Sequence, residues 1–192
     1  MENTFFFDFI SPYAYLAWKK LKEKHLLDKL QLKPVVLGKI FSSLSQTPIT
    51  QNIPKRDYLY QRAKIFAEKN NIPLNLPLRH PFNSLYLLRI SLTSIEKSEK
   101  STLDLIDALW DLVWRDSQDV EDPDLLVEKI AQLGFTNSHE LMEGSFQREI
   151  KNCLKKNTVS ALDYKVFGVP SFIVNERLFW GLDTLADFED QL

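Results

Sequence analysis

The chain has one cysteine, three histidines and five glycines in 192 residues, and these scarcities exclude several chemistries. A lone Cys153 makes neither an intrachain disulfide nor a Cys-x-x-Cys redox or zinc pair, and it suits a reducing compartment. His25, His80 and His139 are scattered, with no His-x-x-x-His pair, so no metal site is expected and surface or capping roles suffice for all three. So few glycines leave no Gly-x-Ser-x-Gly nucleophile elbow and no phosphate loop. No run of about 18 apolar residues exists, and the start, Met1-Glu2-Asn3, lacks a basic region. Neither a signal peptide nor a membrane span is expected, and the sequence reads as cytoplasmic. Acidic and basic residues nearly cancel, to a formal charge of -2, without a block of Lys and Arg. A nucleic-acid partner is therefore not expected, and any charged partner is small.

What remains is a chain with 44% apolar residues, enough for a sizeable core in one domain, or in one domain with a large insertion. Residues 4–10 read as a strand, 12 to about 27 as a helix, and "LQLKPVVLG" at 30–38 as a strand that Pro34 confines to an edge or bulge. From about 54 to 162 the apolar residues keep helical spacing. Examples are Leu59, Ala63 and Phe66; Ile106, Trp110, Val113 and Trp114; and Phe146, Ile150, Cys153 and Leu154. Turns fall at Asn71-Ile72-Pro73, His80-Pro81, Asp122-Pro123 and Gly134. The tail, "PSFIVNERLFWG" at 170–181, predicts a hairpin around Asn175-Glu176, followed by an amphipathic helix capped by Asp183 or Thr184. The order β-α-β, helices, β-β-α describes an α/β, thioredoxin-like fold with a large all-helical insertion. Its two parts are residues 1–50 plus 158–192, and residues 51–157.

Two junctions stand out. In "FDFISPYAYLAW" a strand runs into a helix at Ser11-Pro12, an N-cap followed by the first helical position. A hydroxyl there caps the helix. It also sits where free N–H groups and the positive end of the helix dipole favour an anion or a thiolate. In a thioredoxin-like core a proline before the third strand faces this junction, and Pro170 in "FGVPSF" holds that place. A cis Val169-Pro170 bond leaves the backbone of Val169 free to pair with an extended peptide. Ser11 and Ala14 occupy the positions of the two redox cysteines, which excludes dithiol exchange. Cys153, Trp110 and Trp114 lie on apolar helical faces and read as core.

Through "DFISPYAYLA", "PKRDYLYQRAKIFAEKNNIPL", "HPFNSL", "LKKNTVSALDYKVFGVPSFIV" and "LFWGLDTL" the chain resembles the 2-hydroxychromene-2-carboxylate isomerases. These are relatives of the kappa-class glutathione transferases in the DsbA-like group of the thioredoxin superfamily. The resemblance implies glutathione as cofactor. Ser11, in the Ser11-Pro12-Tyr13 junction, would bond its sulfur, the backbone of Val169 beside Pro170 its cysteinyl unit, and Asp183 its γ-glutamyl amine, while Lys55 or Arg56 faces the anionic ligand. Two positions depart from the family. Gln46 stands where many relatives have asparagine, with a longer stem for a similar amide contact, and Leu182 replaces a polar residue, leaving only a backbone contact. The resemblance further implies a small aromatic carboxylate substrate and a homodimer; Phe41, Tyr58, Phe82 and Trp110 are candidates to shape a flat apolar pocket, with core packing the alternative for each. Alternatives are a kappa-like transferase or peroxidase, which consumes glutathione, and a glutathione- or peptide-binding module without turnover.

Overall fold

The computed structural model describes residues 2–192. β1 (Thr4–Phe7) leads into α1 (Pro12–Glu23), then to β2 (Gln31–Pro34) and α2 (Leu37–Ser43). Six helices follow: α3 (Ile53–Lys69), α4 (Leu85–Glu96), α5 (Thr102–Trp114), α6 (Pro123–Gln132), α7 (Ser138–Ser145) and α8 (Arg148–Asp163). The chain closes with β3 (Ser171–Val174), β4 (Arg177–Trp180) and the short α9 (Leu185–Phe188). The strands form one sheet in the order β2-β1-β3-β4, with β1 and β2 parallel and the other pairs antiparallel. This is the predicted β-α-β, β-β-α order around a helical block.

The central strands β1 and β3 are buried throughout, and the exposed residues fall on β2 and β4. A strand covered on both faces needs an unbroken apolar run, which Phe5, Phe6, Phe7, Phe172 and Ile173 supply. Pro34, lacking an N–H, sits on edge strand β2 as expected. Alternate side chains serve opposite faces. Phe5, Phe7, Phe172 and Val174 join α1, α4, α5 and α9 in the larger core, while Phe6 and Ile173 meet Ile40 of α2 and Ala161 of α8. Trp110 of α5 lies 4.4 Å from Phe9 and 5.9 Å from Phe7, so the helical block shares the core of the sheet's α1 face. Lys19 of α1 bridges Asp107 and Asp111 of α5 at 2.7 Å each, tying the same helices at the surface.

Several boundaries differ from the sequence reading, each for a local reason. β1 stops at Phe7 instead of residue 10, because Asp8 turns its carboxylate back onto the N–H of Ile10. β2 stops at Pro34 instead of residue 38; Thr158 Oγ1 and Asp8 Oδ2 accept the N–H groups of Val36 and Leu37, and α2 starts there. α1 ends at Glu23 instead of residue 27. His25 takes a left-handed φ of 55° and Leu26 N–H bonds back to Leu21 O, a Schellman closure. The tail helix from Leu182 is a 3-10 turn followed by only four α-helical residues. Neither Asp183 nor Thr184 caps it, and Thr184 instead donates its hydroxyl to Gly181 O at 2.9 Å. Phe146 follows α7 and is 46% exposed, so it does not share the α8 face with Ile150 and Cys153. The hairpin turn at Asn175-Glu176 is as expected, with φ of 48° and 66°. Residue 158 falls inside α8, whose Asn157 and Thr158 bond the end of β2 and the start of α2.

If the sheet carries the core in this way, Phe172→Ala, which removes a ring 4.8 Å from both Phe5 and Phe188, lowers unfolding free energy by about 3–5 kcal/mol. Leu78→Ala, at a side chain 89% exposed, changes it by less than about 0.5 kcal/mol. Urea unfolding of the two variants checks both; similar losses in each contradict this placement of the core.

Candidate functional site

The β1–α1 turn, residues 8–11, is held residue by residue. Asp8, only 2% exposed, accepts hydrogen bonds from Ile10 N–H and the Ser84 hydroxyl on Oδ1, and from Leu37 N–H on Oδ2. Phe9 O accepts from Trp114 Nε1 at 2.8 Å, and Ile10 O from His80 Nε2 at 2.7 Å. Ser11 N–H donates to Asp8 O at 3.0 Å. Ser84, Trp114 and His80 all come from the helical block, so that block holds the turn from outside the sheet.

Ser11 does what a cap does and more. Its φ of -96° and ψ of 116° place it just outside α1, and its Oγ accepts the N–H of Ala14 at 3.2 Å, with Pro12 as the first helical residue. The same hydroxyl donates its proton to Val169 O at 3.2 Å, across 158 positions of sequence. The Val169-Pro170 bond is cis, as the topology predicted, and Pro170 O accepts Gly181 N–H at 3.0 Å. The two junctions thus meet through the hydroxyl of Ser11, a residue only 7% exposed, at the positive end of a twelve-residue helix.

Around this pair the other expected residues divide. Tyr13 donates its hydroxyl to Leu59 O of α3 at 3.0 Å. Burial raises its pKa, Arg62 lowers it, and Tyr58 and Asp183 raise it again, so all three lie within electrostatic reach of that hydroxyl. Arg56 pairs with Asp57 at 2.9 Å and its charge reaches His80. Lys55 is exposed, and its backbone N–H fills the Asn52 cap of α3. Gln46 is exposed, and its N–H donates to Phe41 O. Leu182 is buried at the start of the 3-10 turn that carries Asp183. Of the aromatics expected to shape a pocket, Trp110 and Phe82 are core, Phe41 is half-buried and Tyr58 is 59% exposed. Cys153 bonds Glu96 Oε1 and burial pushes its thiol up to about 11, the state of an inert thiol.

Arg62 and His80 were not singled out in the sequence. Arg62 lies four residues beyond Tyr58, on the same face of α3, a spacing that was legible. For His80 the sequence suggests only a surface or capping role. It is instead half-buried, bonded to Ile10 O and Tyr60, with the rings of Tyr60, Trp114 and Phe82 within 6 Å.

Comparison with known proteins adds the decisive observation, a match of residues 4–192 to the family described as DSBA-like thioredoxin domain. The chain belongs to that family. Among curated relatives, a Pseudomonas putida protein named 2-hydroxychromene-2-carboxylate isomerase is 25% identical, covering 100% of this chain and 94% of its own. A Caenorhabditis elegans protein named glutathione S-transferase kappa 2 is 25% identical over 98% of this chain and 90% of its own. A solved structure titled as a 2-hydroxychromene-2-carboxylate isomerase superposes with a TM-score of 0.86 at 23% identity, covering 99% of this chain and 93% of that one. A structure titled as a "probable DsbA oxidoreductase" from Streptomyces coelicolor superposes at 0.67, with 14% identity over 99% of this chain and 90% of that one. At the β1–α1 junction of this chain, positions 11 and 14 hold Ser11 and Ala14. Among the described residues no His, Cys, Asp and Glu cluster suits a metal ion, and no helix is long and apolar enough to cross a membrane.

The surroundings of Asp8 yield a pH prediction. Burial raises the pKa of its carboxyl above the ordinary 3.8, against its bonds from Ser84, Leu37 and Ile10. The folded chain therefore holds that proton more tightly than the unfolded one. Its contribution to stability is fully present below the ordinary value and is lost as pH rises through the raised one. Asparagine cannot satisfy donors on both oxygens, so Asp8→Asn lowers stability by about 1–3 kcal/mol at neutral pH. The gap to wild type widens as pH falls through the folded value, because only wild type takes up the proton. Urea unfolding across a pH series checks the sign; a gap that narrows toward acid contradicts it.

Proposed function

We propose that the protein is a glutathione-dependent isomerase, in which Ser11 holds the thiolate of bound glutathione. The observation that carries the reading is the Ser11 hydroxyl poised between the α1 N-terminus and the cis-proline loop, with no cysteine at position 11 or 14. A thiolate beside Ser11 takes over the proton now donated to Val169 O, because a hydrogen bond to an anion is the stronger one. Such a bond favours the anion by roughly 1.5–3 kcal/mol and moves a thiol pKa of about 8.5 down by about 1–2 units. The helix dipole acts in the same direction. Serine forms no mixed disulfide, so the site keeps its thiol as a nucleophile.

The substrate class is a small aromatic carboxylate with a conjugated ketone, as in the interconversion of 2-hydroxychromene-2-carboxylate and trans-o-hydroxybenzylidenepyruvate. The chromene is the closed hemiketal of that ketone, and its ring C–O bond breaks as the hydroxyl proton passes to the phenol oxygen, giving the conjugated ketone. Glutathione, its thiolate held by Ser11, would supply a nucleophile for reversible addition at the β-carbon, which makes the double bond single so that it rotates before the thiolate is expelled unchanged. Asp183 is the residue to hold the γ-glutamyl amine, and its charge, felt at the Tyr13 hydroxyl beside the Ser11 junction, supports that role. The relatives named as kappa transferases favour a second reading, in which the same thiolate is consumed by the product.

Calorimetric titration with glutathione, followed by an ultraviolet assay on trans-o-hydroxybenzylidenepyruvate, separates the readings: an isomerase turns over at constant glutathione, a transferase depletes it, and a binding module does neither. Ser11→Ala costs about 1 kcal/mol of stability as a lost cap. If Ser11 also holds the thiolate, this variant raises the pKa of bound glutathione by about 1–2 units, with turnover recovering as pH rises. Identical thiolate titrations in Ser11→Ala and wild type leave the residue a cap only. Asp183→Ala weakens glutathione binding by roughly 1–3 kcal/mol, and unchanged affinity removes it from the site.

A further inference from the structure

We propose that His80, held in its Nε2-protonated form by the Ile10 carbonyl it bonds, is a positioning residue for Ser11; the proposal rests on the reading of Ser11 as the thiolate's hydrogen-bond donor. Ile10 C=O and Ser11 N–H belong to one planar peptide unit. That plane is pinned at both edges, by His80 Nε2 on the Ile10 oxygen at 2.7 Å and by Asp8 O on the Ser11 N–H at 3.0 Å. Ser11 Cα is carried by the same plane, so its orientation determines whether Oγ reaches Val169 O and Ala14 N, both at 3.2 Å. Releasing the carbonyl frees the plane to swing, and the hydroxyl with it.

The chemistry of the contacts assigns the protons. A carbonyl oxygen only accepts, so Nε2 of His80 carries the hydrogen, and Nδ1 accepts from the Tyr60 hydroxyl. The other tautomer would leave Nδ1–H facing Tyr60 and a bare Nε2 facing Ile10 O, two lone pairs in opposition. The Ile10 carbonyl therefore selects the tautomer, and the Tyr60 hydroxyl, which can donate or accept, completes it by donating to Nδ1. Ring contacts hold the imidazole in place, at 5.5 Å from Tyr60, 5.6 Å from Trp114 and 5.9 Å from Phe82. Burial, and to a smaller degree the charge of Arg56, keep the ring neutral against the pull of the Ile10 carbonyl. Tyr60 and Arg56 both lie on α3, the helix whose basic start is the candidate contact for the ligand's anionic end.

The test compares wild type, His80→Gln and His80→Ala in two measurements. In the ligand-free proteins, proton–nitrogen correlation spectra report the His80 tautomer and the Ser11 amide. The proposal expects a neutral, Nε2-protonated ring in wild type at neutral pH and a displaced Ser11 amide in His80→Ala. His80→Gln, whose side-chain N–H reaches the same carbonyl, returns the Ser11 amide toward its wild-type position. In the second measurement, the ultraviolet thiolate band of bound glutathione is titrated. His80→Ala raises the thiol pKa by about one unit and lowers kcat on trans-o-hydroxybenzylidenepyruvate by about tenfold, with KM for glutathione within about twofold. His80→Gln recovers most of both, which a packing role for the ring alone does not predict. A folded His80→Ala with the Ser11 amide unmoved overturns the proposal, as does an Nδ1-protonated ring in wild type. Failure of wild type to bind glutathione strikes instead at the proposed function, and the ligand-free spectra still decide the role of His80.

Discussion

A buried carboxylate governs this structure. Asp8 sits where the central strand ends, almost without exposure, and gathers donors from its own turn, from the start of α2 and from the helical block. An ionised group in that position is costly unless its lone pairs are met, so the elements that supply the donors must stay where they are. Once they do, Phe9 O and Ile10 O face Trp114 and His80, and Ser11 is delivered to the cis-proline loop. The site is thus a consequence of satisfying one acid.

The same constraint gives the helical block a purpose beyond covering the sheet. Its Trp110 packs into the aromatic cluster of β1, and Ser84, Trp114 and His80 hold the turn. The α1–α5 ion pairs and the shared core make relative motion of the two parts costly near Ser11. Rigidity at that point matters because a hydroxyl lowers a thiol pKa only when its proton is already aimed. Farther out, the exposed start of α3, with Lys55 and Tyr58, is free of such ties.

How much of this was legible in the sequence depended on whether a residue's partner was local. Ser11-Pro12 announces a helix start by itself, and Asn175-Glu176 announces a turn, because both signals lie within a few residues. The cis bond at Val169-Pro170 was readable only through the topology, which sets that loop against Ser11. Strand ends were misjudged where a distant donor or acceptor decides them. Phe9 and Ile10 continue the apolar run, and only Asp8's bonds break it; Val36 and Leu37 look like strand until Thr158 and Asp8 take their N–H groups. The tail helix shortened because Thr184 spends its hydroxyl on Gly181 O. His80 gave no signal, since a single histidine carries no trace of the carbonyl 70 positions away that it holds.

The central claim is that the Ser11 junction binds glutathione as its thiolate. The most direct test is the affinity of the wild-type protein for glutathione relative to S-methylglutathione, measured by calorimetry across a pH series. The methylated compound has no proton to lose. If the thiolate is the bound form, the ratio favours glutathione increasingly as pH rises, by up to about tenfold per unit between the pKa of the bound thiol and that of the free one. A ratio independent of pH over that range contradicts the account.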